Sequence, residues 1–322
     1  MKKIFITGIT GLLGTNLANT LLDLNYEVTA IVRNPDKYIG KRTVNLKLIQ
    51  MGLWGAYDDY LKETDIVVHI AAETGTHLIK YHDYKKTNYD ATIRLFEKSK
   101  THNVSQFIFI STANTIGYGI LDSLGNETEK IQKPFTNLFY AQSKLNAEKY
   151  LLTQNKGIQV KILNPTFMIG AFDSKPSSGK IILMGLKKRI VFYPPGGKNF
   201  VPVKDVANAI INAFHKGSPG EKYLICGTNL SYKTFFKELR SITNQKQLLL
   251  PIPKFLLMFM GFTGNILRLM KFKTSLSSLN MKTLCIKNYY TNQKSINELN
   301  VSYTSLNIAI KEAVDYFEQH PN

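Results

Sequence analysis

The chain has 322 residues, 44% of them hydrophobic, which is enough for one large domain or two interlocked ones. Its formal charge of +18 would suit acidic partners, but the basic residues are mostly scattered lysines without a recognisable module, so we predict no nucleic-acid partner. Cys226 and Cys285 lack metal-ligand spacing, which indicates reduced thiols, no metal site and a cytoplasmic location.

The first half of the chain alternates short β-rich runs with helical patterns. Its basic start precedes an apolar run that threonine and glycine soon break, so we predict a first strand there and no secretory signal. Because the strands are apolar almost throughout and helices follow them, we predict a parallel sheet covered on both faces. Right-handed crossovers would wind it into a doubly wound α/β (Rossmann) fold. The predicted strands are 2–7, 27–32, 45–50, 65–71, 105–111 and 158–163, and the predicted helices are 12–24, 89–100 and 139–154.

After Pro165 the pattern loosens into loops rich in glycine, proline and serine. An amphipathic helix at 203–214, with Asp205 near its start as an expected cap, and a strand at 222–226 return the chain to the sheet. We predict a Rossmann domain made of 1–165 and the return segment 203–228, and a smaller, mainly helical C-terminal substrate-binding subdomain made of 166–202 and 229–322.

The most apolar part of the chain is "PIPKFLLMFMGFTGNILRLMKFK", residues 251–273. Its uninterrupted apolar run is far below the roughly 20 residues needed to cross a bilayer, and Asn265 and Arg268 break it. Two interpretations remain open. The segment is either a buried helix or lid over an apolar pocket, or a peripheral membrane helix flanked by Lys271 and Lys273.

A glycine-rich turn, "TGITGLLG", follows the first predicted strand and leads into the first helix. Such a turn lets the backbone approach a dinucleotide pyrophosphate, whose charge meets the helix N-terminus. A plain tight turn is the alternative. The predicted cofactor contacts here are Gly8, Thr10, Gly11, Leu12, Leu13 and Gly14.

The end of the second strand bears on which cofactor is bound. NAD sites usually carry Asp or Glu there, but this chain reads "AIVRNPDK", with Arg33 and then Lys37. A guanidinium suits a 2′-phosphate, so we favour NADP(H), with NAD(H) as the alternative. Arg33 would otherwise be a solvated charge at a strand end.

A tyrosine followed four residues later by a lysine occurs three times, which is close to chance in a chain with 17 tyrosines and many lysines. The three pairs are Tyr81 with Lys85, Tyr140 with Lys144, and Tyr290 with Lys294. The position in the chain distinguishes Tyr140 with Lys144, because this pair lies on the helix that follows the "STANTIG" strand.

Taken in order, the motifs resemble those of the extended or atypical short-chain dehydrogenase/reductases, also called NAD-dependent epimerase/dehydratases. The chain is most similar to the dihydroflavonol-reductase-like and 3β-hydroxysteroid-dehydrogenase-like branches, and the resemblance covers essentially its whole length. The motifs are "TGITGLLG", "DIVVHIAAETG" (65–75), "KTNYDAT", "FIFISTANTIG" (107–117), "YAQSK", "LNPTFMIG" (163–170), "FVPVKDVANAI" (200–210) and the tail after residue 287.

The resemblance implies hydride transfer between a carbonyl and a secondary alcohol. Tyr140 would be the general acid/base, and Lys144, one helical turn away, would favour the phenolate and hold the nicotinamide ribose. Thr112 would bond the substrate oxygen, with Ser111 as the alternative. Further cofactor contacts are implied for Ala71, Ala72, Asn88, Asn164, Pro165 and Thr166. Asn88 could instead bond backbone groups that shape the site, and His69 is expected to be a packed strand residue.

Two departures from the family pattern are visible. "IQMGLWG" offers no Asp for adenine after strand three, and Lys198 with Asn199 stands where nucleotide-sugar epimerases usually carry an arginine. We therefore favour an NADP(H)-dependent oxidoreductase for a fairly apolar small molecule. A nucleotide-sugar epimerase or dehydratase with tightly bound NAD(H) is the alternative, and a non-catalytic dinucleotide sensor is a third hypothesis. The resemblance also implies a homodimer built through the helix at 139–154.

Overall fold

The computed structural model describes residues 2–320, and seven parallel strands form its central sheet. These strands are β1 (Lys3–Thr7), β2 (Glu27–Val32), β3 (Leu46–Gln50), β4 (Ile66–His69), β5 (Gln106–Ile110), β6 (Gln159–Pro165) and β10 (Lys222–Ile225). They are arranged in the order β3-β2-β1-β4-β5-β6-β10, and every neighbouring pair is parallel. The predicted parallel sheet is confirmed.

Helices cover both faces of this sheet. Successive strand residues point to opposite sides, so the apolar strands give each face its own core. Ile4 and Ile6 join the core beneath α1 (Leu12–Asp23) and α7 (Val203–Ala213), whereas Phe5 joins the core on the opposite face, beneath three other helices. The helices on that side are α2 (Asp58–Leu61), α4 (Ala91–Thr101) and α5 (Phe139–Thr153). A short helix, α3 (Tyr81–Lys85), continues through a π-helical turn at Lys86–Asp90 into α4. The predicted doubly wound α/β fold is confirmed.

The remaining elements form a smaller part that is mainly helical, as predicted. Its helices are α6 (Lys180–Gly185), α8 (Tyr232–Ile242), α9 (Lys254–Leu269), α10 (Ser278–Leu284), α11 (Gln293–Leu299) and α12 (Leu306–Gln319). Its strands are β7 (Phe167–Ile169), β8 (Ile190–Tyr193), β9 (Gly197–Pro202), β11 (Thr228–Ser231), β12 (Leu248–Pro251) and β13 (Lys287–Asn288). β9 pairs with β7, β11 and β13, and β8 pairs with β12, which gives two small sheets that the sequence did not reveal. The division into two domains at the boundaries given above stays a prediction.

The structure corrects the interpretation of Asp205. This residue lies within α7, whose N-cap position is Pro202, and its buried carboxylate does not cap the helix. It instead accepts hydrogen bonds from the Thr304 backbone N–H at 2.8 Å and from the Thr304 hydroxyl at 3.0 Å. Asp205 therefore fastens the C-terminal tail to α7.

The apolar segment 251–273 forms the helix α9, and the interpretation of a buried helix is wrong for its outer side. Phe255 and Leu269 are 75% and 84% exposed, although Leu257 on the inner side is buried. Within residues 2–320, no helix is both long enough and apolar enough to cross a membrane.

Candidate active site

The glycine turn lies at the carboxyl end of β1, where its backbone closely approaches its surroundings. Gly8 has φ +81°, and a Cβ atom on it would lie 2.7 Å from the Ala71 nitrogen. A Cβ atom on Gly14 would lie 2.2 Å from the Gly8 carbonyl oxygen, whereas one on Gly11 would lie 3.6 Å from that oxygen. Gly8 and Gly14 are thus required for packing, and Gly11 leaves space above the turn.

The first turn of α1 can hold a dinucleotide. Gly11 is exposed at the N-cap position, and no side chain caps the helix. The backbone N–H groups of the first helical residues therefore remain available for a pyrophosphate. Leu12 and Leu13 bury their side chains, so only their backbones can serve such a group, and Thr10 is half-buried beside them. These residues fit the predicted cofactor.

Arg33 and Lys37 lie at the same edge of the sheet, just beyond the end of β2, which pairs with β1. Both side chains are exposed. Asn34 between them accepts a hydrogen bond from the Asp36 N–H at 2.9 Å and so caps the short 3₁₀ turn Pro35–Lys37. The edge thus presents a guanidinium near the dinucleotide turn, as the sequence predicts.

The loop after β4 contains Ala71 and Ala72, and Asn88 fixes its next residue. The buried Asn88 amide accepts a hydrogen bond from the Glu73 N–H at 2.7 Å and donates to the Glu73 carbonyl at 3.0 Å. Its Nδ2 also donates to the Ser143 hydroxyl on α5 at 3.0 Å. Asn88 shapes the site through backbone contacts, in line with the alternative interpretation of this residue.

Lys144 is buried between α5 and the end of β5. The residue is 1% exposed, its Nζ donates to the Ile110 carbonyl at 2.6 Å, and it lies 4.1 Å from the centre of the Phe109 ring. Burial lowers the pKa of Lys144 to about 7, and the carboxylate of Glu148 opposes that shift. Lys144 is therefore close to its titration midpoint at neutral pH.

Tyr140 is half-buried one helical turn before Lys144. Burial raises the pKa of its phenol to about 12, and hydrogen bonding from the Thr112 hydroxyl opposes the shift. The expected lowering of the pKa of Tyr140 by Lys144 is not seen. Burial disfavours the charged form of both groups, so it favours the neutral phenol and the neutral amine. The structure nonetheless brings Tyr140 and Thr112 together at the carboxyl end of β5.

Ser111 is directed away from Tyr140. Its hydroxyl donates to the Glu148 carboxylate, which is fully buried and also accepts from Thr115 at 2.6 Å and from Asn164 at 2.8 Å. Lys222 completes the set with an ion pair to Glu148 at 2.7 Å. This arrangement favours Thr112 over Ser111 as the residue that contacts substrate, and it gives the Asn164 amide a structural bond.

The two other predicted contacts, Pro165 at the end of β6 and Thr166 just after it, lie close to that network. Pro165 is buried, and the Thr166 hydroxyl donates to the Asn199 side chain at 2.7 Å.

His69 is fully buried, and its ring nitrogens lie 2.6 Å from the Thr7 hydroxyl and 2.9 Å from the Thr92 hydroxyl. Burial lowers the pKa of His69 to about 3, so it is a packed neutral residue, as predicted.

Sequence reasoning missed two residues at this site. Tyr84 has its ring centre 6.5 Å from that of Tyr140, and its hydroxyl donates to the Gly75 carbonyl at 2.5 Å. Glu148 was missed as well, although it follows Lys144 at i,i+4 on the same helix face. That spacing was a usable signal for Glu148, whereas nothing in the sequence placed Tyr84 beside Tyr140.

Residues 4–226 match the model of the NAD dependent epimerase/dehydratase family. The chain belongs to this family. The predicted resemblance is confirmed, and the family and its relatives are NAD(P)-dependent reductases, dehydrogenases and epimerases of the extended short-chain type.

Relatives extend the similarity to nearly the full chain. A relative from Synechocystis sp. that bears a dihydroflavonol 4-reductase name is 26% identical over 98% of this chain and 94% of its own. Sterol-4-alpha-carboxylate 3-dehydrogenase, decarboxylating, of Dictyostelium discoideum is 31% identical over 79% of this chain and 81% of its own. The solved structure of a UDP-N-acetylglucosamine 4-epimerase from Methanobrevibacter ruminantium M1 has a TM-score of 0.79 at 19% identity, covering 99% of this chain and 98% of that one. This last likeness shows the fold alone.

Proposed function

We propose that this family member is an NADP(H)-dependent oxidoreductase that interconverts a carbonyl and a secondary alcohol on a fairly apolar small molecule. The observation that carries the proposal is the grouping of Tyr140 with Thr112 at the carboxyl end of β5, above the buried Lys144. When bound, the nicotinamide would supply or accept the hydride.

Tyr140 would act as the proton donor to the carbonyl oxygen. With a pKa of about 12 its phenol is protonated at neutral pH, which suits the direction of reduction. Thr112 would donate a second hydrogen bond to the same oxygen and stabilise its developing negative charge. Lys144 would supply positive charge beneath Tyr140 whenever its amine is protonated, and this charge would favour release of the proton from the Tyr140 phenol.

The cofactor would be held by the open N–H groups at the start of α1, with Gly11 giving the backbone room for the pyrophosphate. Arg33, and Lys37 close behind it, would bind the 2′-phosphate of NADP(H). NAD(H) is the alternative cofactor, and Arg33 would then be a solvated charge at the end of β2.

Support for an apolar substrate comes from two directions. One relative bears the name of a sterol-carboxylate dehydrogenase, and the apolar helix α9 lies next to the loop that borders Tyr140.

The alternative, a nucleotide-sugar epimerase or dehydratase, is favoured by Lys198, a partly buried cation that could meet a diphosphate. Burial lowers the pKa of Lys198 to about 8. A homodimer through α5 and a cytoplasmic location stay predictions.

The nucleotide itself separates the two candidates. The purified protein would be denatured and its supernatant assayed for NAD(H) and NADP(H), and the empty protein would be titrated with NADPH and NADH. We expect little retained nucleotide and tighter binding of NADPH. Stoichiometric retained NAD(H), with no turnover of added NADPH, would instead support the epimerase.

A further inference from the structure

The outer face of α9 is an exposed apolar stripe. Its members recur at spacings of four and three residues, so they lie along one side of the helix. They are Phe255, Phe259, Phe262, Ile266 and Leu269, with exposed fractions of 75%, 63%, 60%, 43% and 84%. Three phenylalanines and a leucine this exposed on one helix are well outside the scattered single apolar residues that an ordinary protein surface carries.

The inner face of α9 holds the helix in this orientation. A Cβ atom on Gly261 would lie 2.7 Å from the Ser278 Cα, and one on Gly264 would lie 2.5 Å from the Leu276 carbonyl oxygen. Leu257 is buried on the same side. Because the glycines fit closely against the start of α10 and the segment before it, a roll of α9 that buried the outer face would break this packing.

The sequence around α9 carries only positive charge. Residues 239–297 contain nine basic residues and no aspartate or glutamate. Lys254 begins the helix, and Lys271 and Lys273 follow its end; all three are exposed. The nine are Arg240, Lys246, Lys254, Arg268, Lys271, Lys273, Lys282, Lys287 and Lys294.

We propose that the outer face of α9 docks into the headgroup region of an anionic lipid bilayer. Aromatic and aliphatic side chains would enter the boundary between headgroups and acyl chains, and the flanking lysines would pair with anionic headgroups. A second copy of the chain is a poorer occupant, since two such faces would bring like charges together. With 16 residues, α9 lies on the bilayer and does not span it.

This surface lies beside the candidate active site. The Arg268 guanidinium near the end of α9 donates to the Thr76 carbonyl at 2.8 Å. Thr76 follows Gly75, which accepts a hydrogen bond from the hydroxyl of Tyr84, the ring that neighbours Tyr140. If the proposed function holds, docking would place the entrance for an apolar substrate at the membrane surface. The docking itself does not depend on catalysis.

The test is flotation of the purified full-length protein with vesicles. We expect binding to vesicles that contain phosphatidylglycerol, weaker binding to pure phosphatidylcholine, and release as salt rises. Phe255→Ser, Phe259→Ser and Phe262→Ser combined should abolish binding. A matched control, Val44→Ser with Leu121→Ser, removes side chains that are 102% and 63% exposed elsewhere and should leave binding intact.

The charge requirement is tested separately. Lys271→Gln combined with Lys273→Gln should weaken binding to the anionic vesicles about 10- to 30-fold, since each lysine near the surface contributes about 1 kcal/mol. Lys156→Gln with Lys175→Gln, two exposed lysines outside this region, is the control and should bind normally.

Three outcomes would overturn the proposal. They are failure to float with anionic vesicles at low salt, normal binding by the triple phenylalanine variant, and a dimer in light scattering that the triple variant converts to monomer. Flotation needs no turnover, so its result is independent of the proposed chemistry. Absence of ketone reduction in a vesicle-binding protein would overturn only the function.

Discussion

At the scale of single residues, burial moves Lys144 and Tyr140 toward their neutral forms. The pKa of Lys144 falls to about 7 and that of Tyr140 rises to about 12. The tyrosine therefore holds its proton at neutral pH, while the lysine can gain or lose one at little cost. Ionisable groups with such shifted pKa values at the carboxyl end of a parallel sheet are typical of catalytic sites.

The lowered pKa of Lys144 predicts a pH dependence of stability. Between about pH 7 and 10.5 the unfolded chain binds this proton and the folded protein does not, so the free energy of unfolding rises with pH. Below pH 7 the cost of the buried charge is present in full. Lys144→Met removes this titration.

Urea unfolding of wild type and Lys144→Met at pH 7 and pH 10 measures the effect. Wild type should gain a few kcal/mol relative to the variant as pH rises. Lys156→Met, at an exposed lysine, should follow the wild-type slope. Equal pH slopes for wild type and Lys144→Met would show that the lysine is not buried as described.

Arg33 should decide the cofactor preference. Arg33→Ser is expected to weaken NADPH binding about 10- to 100-fold, the value of a hydrogen bond to a charged group, and to leave NADH binding nearly unchanged. Fluorescence titration with both nucleotides measures this change, with the exposed Arg189→Ser as control. Equal losses for NADPH and NADH would exclude a role in 2′-phosphate recognition.

At the scale of elements, Glu148 joins α5 to β6 and β10 through its bonds to Asn164 and Lys222. Glu148→Leu removes the buried carboxylate from its ion pair with the partly exposed Lys222 and from its hydrogen bond with Asn164, and should lower the free energy of unfolding by about 3–5 kcal/mol. Glu63→Leu, at a carboxylate that is 74% exposed, should change it by less than about 1 kcal/mol. Urea unfolding compares the two, and a small effect at Glu148 would mean that its network contributes little.

The glycine turn separates packing from cofactor binding. Gly14→Ala places its methyl group against the Gly8 carbonyl and should cost about 1–3 kcal/mol of stability. Gly11→Ala meets no such contact, so it should keep wild-type stability and lose NADPH affinity. Gly52→Ala, with open space around it, is the control for both measurements. Wild-type NADPH affinity in Gly11→Ala would mean a plain tight turn.

At the scale of the whole molecule, the central sheet could be predicted because each strand carries its own signal. All four residues of β4 are buried, and its run of apolar residues predicts a buried strand from the sequence of that segment alone. The turn with Gly8 and Gly14 was likewise visible, since Gly14 packs against Gly8 only six residues away. Tyr140 and Lys144 were singled out by their place after β5.

What the sequence did not reveal depends on contacts between distant residues. β13 has two residues and exists only through its pairing with β9, and Glu148 meets Lys222 at a separation of 74 residues. The exposure of α9 was also hidden, because hydrophobicity alone predicts burial equally for both sides of an apolar helix. The close fit of Gly261 against Ser278 and of Gly264 against Leu276 determines which side faces outward.

The most direct test of the account is NADPH oxidation with a panel of apolar ketones. Tyr140→Phe should lower kcat about 10²- to 10⁴-fold with unchanged NADPH affinity, because only the proton donor is lost. Tyr81→Phe, which alters the similarly spaced pair on α3, should retain activity. We expect full turnover by wild type and by Tyr81→Phe, and strongly reduced turnover by Tyr140→Phe. Undiminished turnover by Tyr140→Phe, or no ketone reduction with either nucleotide, would contradict it.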